Sequence, residues 1–168
     1  MLTLMRHGEA SWASETDEQR ELTEQGVAFV NQQVQHYASR LVSVSRIIAS
    51  PYYRTRQTAS LMATGLNQLR DVEKSNTDSA LSSQLKDSID VILDDRLTPD
   101  VSIADAVLAL EQYWEPELLV VTHQPLIGLL TSYLLHGSVL YPEPLLPGQL
   151  VSMEMEWPGA AQGIRIPQ

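Results

Sequence analysis

Cysteine is absent from the 168 residues. Disulfides, thiolate metal sites and a cysteine nucleophile are therefore excluded, and the absence suits a reducing compartment. Positive charge is scarce as well: 11 Lys and Arg stand against 21 Asp and Glu, a formal net charge of −10. Nucleic-acid binding usually needs a basic footprint, and an anionic membrane surface asks for the same. Neither is expected as a partner. No apolar run approaches the length that spans a bilayer. The apolar start Met1–Met5 is too short for the core of a signal peptide and lacks a basic leader. A soluble, cytoplasmic protein is the expectation.

What is present describes a folded chain. Hydrophobic residues make up 43% and charged residues 19%, a globular balance, and the length suits one domain over residues 1–168. There is no internal repeat and no low-complexity tract. Leu2–Met5 reads as a short buried strand, followed by a polar, loop-like stretch from Gly8 to Glu21. Thr23 supplies a capping hydroxyl for a helix whose apolar positions are Val27, Val30, Val34, Tyr37, Ala38 and Leu41. Arg46–Ser50 is a second strand, and Ser50-Pro51 reads as the entry to a helix ending near Gly65 or a turn later.

The pattern weakens from Asn67 to Asp90, with a helix around Ala80–Leu85 and a surface insertion as expectations. Val91–Leu93 forms a third strand, Asp105–Trp114 a helix, and Pro125 opens another through Leu135. Leu118–Thr122 is apolar on both faces, as a central parallel strand requires. Gln149–Glu156 alternates as a half-exposed strand, with Val151, Met153 and Met155 opposite Ser152, Glu154 and Glu156, and Gly163–Ile166 can pair with it. The alternation of strands and helices predicts an α/β fold. It has three layers, α/β/α: a mostly parallel sheet with helices on both faces and a late antiparallel edge pair. Ligands of such sheets bind beyond the carboxyl ends of the strands.

Several reactive residues converge on that rim. Arg6-His7-Gly8 ends the first strand, Ser50 to Arg54 follows the second, and His123 follows Thr122. Arg20 precedes the first helix. Two histidines among arginines suit phosphoryl transfer without a metal. A guanidinium matches phosphate oxygens bidentately, and a neutral imidazole can attack phosphorus. Nearby arginines disfavour the imidazolium form. A second imidazole, if protonated, stabilises charge in the transition state. At Gly8 a Cβ would obstruct the approach of phosphate to the backbone. His36 and His136 read as structural. Arg56 is two positions beyond Arg54, cannot share its helix face, and reads as a surface or salt-bridge residue. A zinc site from His7, His123 and a carboxylate lacks supporting ligand spacing, so no metal or organic cofactor is expected.

These residues resemble a known family. Leu4-Met5-Arg6-His7-Gly8-Glu9-Ala10 is similar to the RHG signature of the histidine phosphatase superfamily, or phosphoglycerate mutase-like fold. Arg20–Gly26, Ser50-Pro51 with Arg54 and Gln57-Thr58, and Val121-Thr122-His123 follow in the family's order. The resemblance implies that His7 is the transiently phosphorylated nucleophile. Arg6 and Arg54 become phosphate clamps and His123 the second histidine of the pocket, with Arg20, Gly8 and Ser50 at the substrate. Arg20, Leu97-Thr98-Pro99 and His123–Gly128 look like the short SixA-type branch, the phosphohistidine phosphatases.

Many other members carry a glutamate after the third strand as general acid. Here that region reads Asp94-Asp95-Arg96. An alkoxide leaving group needs a proton from an acid, whereas a phosphohistidine needs less help. The expected reaction is therefore hydrolysis of phosphohistidine on a phosphotransfer (HPt-like) signalling protein, with inorganic phosphate as product. The alternatives are a small-molecule phosphate-ester phosphatase using Asp95 or Glu9 as acid, and a phosphate-binding module without turnover.

Overall fold

The computed structural model describes residues 1–76 and 88–167; the helix expected around Ala80–Leu85 lies outside them. The strands are β1 (Leu2–Arg6), β2 (Arg46–Ala49), β3 (Asp90–Leu93), β4 (Leu118–Thr122), β5 (Leu150–Glu154) and β6 (Ile164–Arg165). They form one sheet in the order β3-β2-β4-β1-β5-β6. The β3-β2, β2-β4 and β4-β1 pairs are parallel, and β5 and β6 complete the sheet antiparallel. This is the α/β architecture predicted, with its antiparallel edge pair.

Alternate residues of each strand feed two cores, as the two-residue period demands. Leu2, Leu4, Leu118 and Val120 face α4 (Ile103–Gln112) and α5 (Leu126–His136). Met5, Leu119 and Val121 face α1 (Glu24–His36) and α3 (Tyr53–Asn76). Thr23 caps α1 as expected, its hydroxyl accepting from the Gly26 amide. A short α2 (Ala38–Leu41) follows after Tyr37, so the helix expected to run unbroken to Leu41 is interrupted there. Among the described residues, no helix is long and apolar enough to cross a membrane.

Three local expectations change. α3 does not stop near Gly65 but continues to Asn76. A Cβ on Gly65 would come within 2.8 Å of Val34, so this glycine serves the close contact of α3 with α1 and is not a helix terminator. Ser50 does not cap α3, which begins at Tyr53; its hydroxyl accepts from the Tyr52 amide at 3.4 Å and lies 2.8 Å from His123 Nε2. Ser152 is not on an exposed face. It is buried, and its hydroxyl pairs with that of Thr3 at 2.9 Å, which relieves the cost of burying either group alone.

Candidate active site

The sheet places the reactive residues by register. Arg6 pairs with Thr122, and Ala49 pairs with Val121. The His7 amide donates to the Thr122 carbonyl at 3.1 Å, and the Ser50 amide to the Val121 carbonyl at 3.1 Å. His7, Ser50 and His123 therefore leave three adjacent strands at one level. The two imidazoles lie with ring centroids 5.1 Å apart and planes inclined at 61°. All three side chains are buried.

The hydrogen bonds assign the tautomer of His7. Its Nδ1 is 2.7 Å from the Gly8 carbonyl oxygen, which only accepts, so Nδ1 carries the proton. Nε2 is left with its lone pair and accepts from Arg54 Nε–H at 3.1 Å. Burial holds the pKa of this ring down to about 4; the Gly8 bond pulls the other way, and the charges of Arg54, Arg6 and Arg20 add to the depression. The ring is neutral at pH 7. The arginines contribute as expected from the sequence, but burial is the larger cause.

His123 is held by Ser50, with Nε2 and Oγ 2.8 Å apart. Tyr52 packs edge-on against it at 5.0 Å between centroids. Burial, then His7 and the arginines, lower its pKa to about 2, so it is neutral here and not the imidazolium considered above. Among the described residues its buried Nδ1 has no hydrogen-bond partner, and neither has Nε of Arg6.

The arginines reach the site by different routes. Arg6 donates from Nη1 to the Leu145 carbonyl at 2.7 Å, steered by the segment that links α5 to β5. Arg54 is almost fully buried and touches both His7 and Asp17. Arg20 is wrapped by its own loop, donating to the carbonyls of Ser11 and Ala10 and stacking on Trp12 at 3.6 Å. It meets Arg54 through Asp17, which accepts from Arg20 Nη1 at 3.0 Å and from Arg54 Nη2 at 2.9 Å. Asp17 was not singled out in the sequence: it lies in a polar stretch with Glu15 and Glu18, and no local pattern separates it from them.

Gly8 is required for a different reason than phosphate clearance. A Cβ there would meet Val30 at 2.9 Å and the Gly26 carbonyl at 3.1 Å, so the glycine lets the loop after β1 lie flat on α1. α3 holds the same loop, because Thr58 accepts from the Gly8 amide and Gln57 from the Leu22 amide. The two carboxylates weighed as acids are engaged elsewhere or exposed. Glu9 accepts from the Thr23 hydroxyl at 3.1 Å. Asp95 is exposed at the start of a single 3-10 turn, Asp95–Leu97. Arg96 pairs with Asp94 and with Gln112, and Arg56 is exposed near Tyr53.

The comparisons agree with this geometry. The sequence profile of the histidine phosphatase superfamily (branch 1) matches residues 2–81. The phosphohistidine phosphatase SixA of Escherichia coli (strain K12) is 29% identical over 138 residues, which is 80% of this chain and 74% of that protein. A structure of the protein histidine phosphatase SixA complexed with tungstate shares the fold, with a TM-score of 0.74 at 22% identity over 98% of this chain and 93% of that one. A mycobacterial glucosyl-3-phosphoglycerate phosphatase does so less closely, with a TM-score of 0.61 at 16% identity over 98% and 95% of the two chains. Profile, relative and fold lead in one direction: over residues 2–81 the chain is similar to the histidine phosphatase superfamily, and in sequence and fold it resembles the SixA-type phosphatases.

Proposed function

We propose that the protein is a phosphohistidine phosphatase acting on a phosphohistidine-bearing protein through a covalent phospho-His7 intermediate. The observation that carries this reading is the state of His7. A neutral ring with its proton fixed on Nδ1 and a lone pair on Nε2 is ready to attack phosphorus. In the first step Nε2 bonds to phosphorus, and the P–N bond to the substrate imidazole breaks with the electron pair leaving on nitrogen. That ring departs neutral, having carried its own proton or taken one from water. Water then attacks phospho-His7, releases inorganic phosphate and restores the imidazole.

The surrounding donors suit a phosphoryl group. Arg54 Nε–H already points at the attacking atom. Arg6 Nε–H and His123 Nδ1 are buried polar atoms without partners among the described residues, and both gain one if phosphoryl oxygens bind. If Ser50 donates to Nε2, His123 carries its proton on Nδ1 and acts as a neutral donor. Such preorganised donors stabilise charge as it develops in the transition state.

The carboxylates favour a P–N over a P–O substrate. Glu9 is bonded to Thr23, and Asp17 is gripped by two guanidiniums. An ionised carboxylate cannot protonate an alkoxide, and an imidazole leaving group does not demand it. The similarity to SixA of Escherichia coli supports the same substrate class.

The test is to incubate the protein with a phosphohistidine-bearing HPt domain and with phosphate esters. Release of phosphate from the domain, lost in His7→Ala, supports the reading. Full activity in His7→Ala, or turnover of esters alone, overturns it; esters turned over with dependence on Glu9 or Asp95 would establish the ester phosphatase instead.

A further inference from the structure

Asp17 sits at the junction of the two arginines outside β1. Arg54 uses the outer edge of its guanidinium on this single residue: Nη1 donates to the Asp17 carbonyl and Nη2 to its Oδ2. The inner edge of the same planar group carries the Nε–H that meets His7 Nε2. Asp17 Oδ1 takes Nη1 of Arg20, which also donates to two carbonyls of its own loop and stacks on Trp12. One carboxylate therefore couples the loop of Arg20 to the arginine that touches the nucleophile.

We propose that Asp17 is a positioning residue for phosphoryl transfer: it holds the outer edge of Arg54 so that the inner edge faces His7 Nε2, and it ties Arg20 to the same arrangement. Stability alone does not account for this pair. The Arg54 side chain is 4% exposed but the Asp17 side chain is 53% exposed, and an ion pair open to water adds little to folding. Orientation is another matter, because a guanidinium is a rigid fork whose two edges cannot be aimed independently. The carboxylate also offsets repulsion between cations that converge on one pocket. The loop backbone has its own anchor, since the Tyr53 amide donates to the Glu18 carbonyl at 2.8 Å. Loss of the carboxylate therefore frees Nη2 of Arg54 and leaves Nη1 on the Asp17 carbonyl, loosening the aim of the guanidinium without unfolding the loop.

The consequence for turnover rests on the phosphohistidine phosphatase reading; the aim of Arg54 does not. The experiment compares wild type, Asp17→Asn and Asp17→Glu in the full chain by three measurements. The nitrogen-15 NMR signal of Arg54 Nε–H, shifted and slow to exchange in the wild type, moves toward the position of a free arginine in Asp17→Asn. Formation of phospho-His7 from the phosphohistidine domain slows by about tenfold, with part of the rate recovered in Asp17→Glu. Orthovanadate binds no more weakly to Asp17→Asn, because a neighbouring negative charge has gone. An unchanged Arg54 Nε–H signal overturns the proposal, and so does a matched loss of turnover, vanadate binding and thermal stability. Wild type inactive on phosphohistidine would overturn the functional reading, while the NMR signal still decides the role of Asp17.

Discussion

The Nε–H of Arg54 donates to Nε2 of His7 across 3.1 Å. In the proposed reaction the attacking atom is thus already in contact with the cation that would receive the charge of an incoming phosphoryl group. The contact also favours the neutral ring, since a proton on Nε2 would face a donor.

Arg54→Lys tests this contact directly. A lysine ammonium is a compact point charge and cannot meet His7 and both Asp17 oxygens in one plane. The rate of phospho-His7 formation is expected to fall by about 10²–10³, measured in a single turnover. A wild-type rate would show that any cation suffices at this position.

The buried histidines set a pH dependence. The His7 ring has its pKa lowered to about 4 and the His123 ring to about 2, whereas in the unfolded chain both titrate at about 6.5. Below that pH the unfolded chain takes up protons that the folded protein refuses. Stability is therefore expected to fall as the pH drops from about 6.5 toward 4. Denaturant midpoints across this range check the slope, and His123→Asn is expected to flatten it. The acidic limb of kcat/KM is expected near pH 4 and not near 6.5.

Gly26→Ala probes the seat of the loop after β1. The added Cβ would lie 2.2 Å from the Glu9 carbonyl oxygen and 2.9 Å from its amide nitrogen. Both are backbone atoms that cannot turn aside, so α1 or the loop at Gly8 and Glu9 must move. Overpacking of this kind costs about 1–3 kcal/mol, visible in thermal unfolding. Turnover is expected to fall as well, because the carbonyl that orients His7 belongs to the displaced segment.

The sheet and its rim were legible in the sequence because each rests on a local signal. Leu118–Thr122 is apolar at every other position in both phases, and it pairs in parallel with β1 on one side and β2 on the other. Arg6, His7 and His123 could be placed because each stands at the end of a recognisable strand, and Arg54 because it lies in the first turn of the helix that follows one. What escaped notice depends on contacts between distant segments. Gly65 resembles a helix terminator until Val34 is seen against it. Ser50 resembles a cap until His123 supplies another partner. Asp17 differs from Glu15 and Glu18 only in where the folded loop delivers it.

The pairing of Arg6 with Thr122 has a consequence for how the gene can change. His7 and His123 each stand one residue beyond that rung, so the backbone ladder works as a gauge for the gap between the imidazoles. Residues gained or lost in outlying loops leave the gauge untouched. A single insertion within Leu118–Thr122 would turn the following side chain to the opposite face of the sheet and take one imidazole out of the pocket. Tolerance to length variation should therefore be sharply uneven along the chain, vanishing in the few residues just ahead of each histidine.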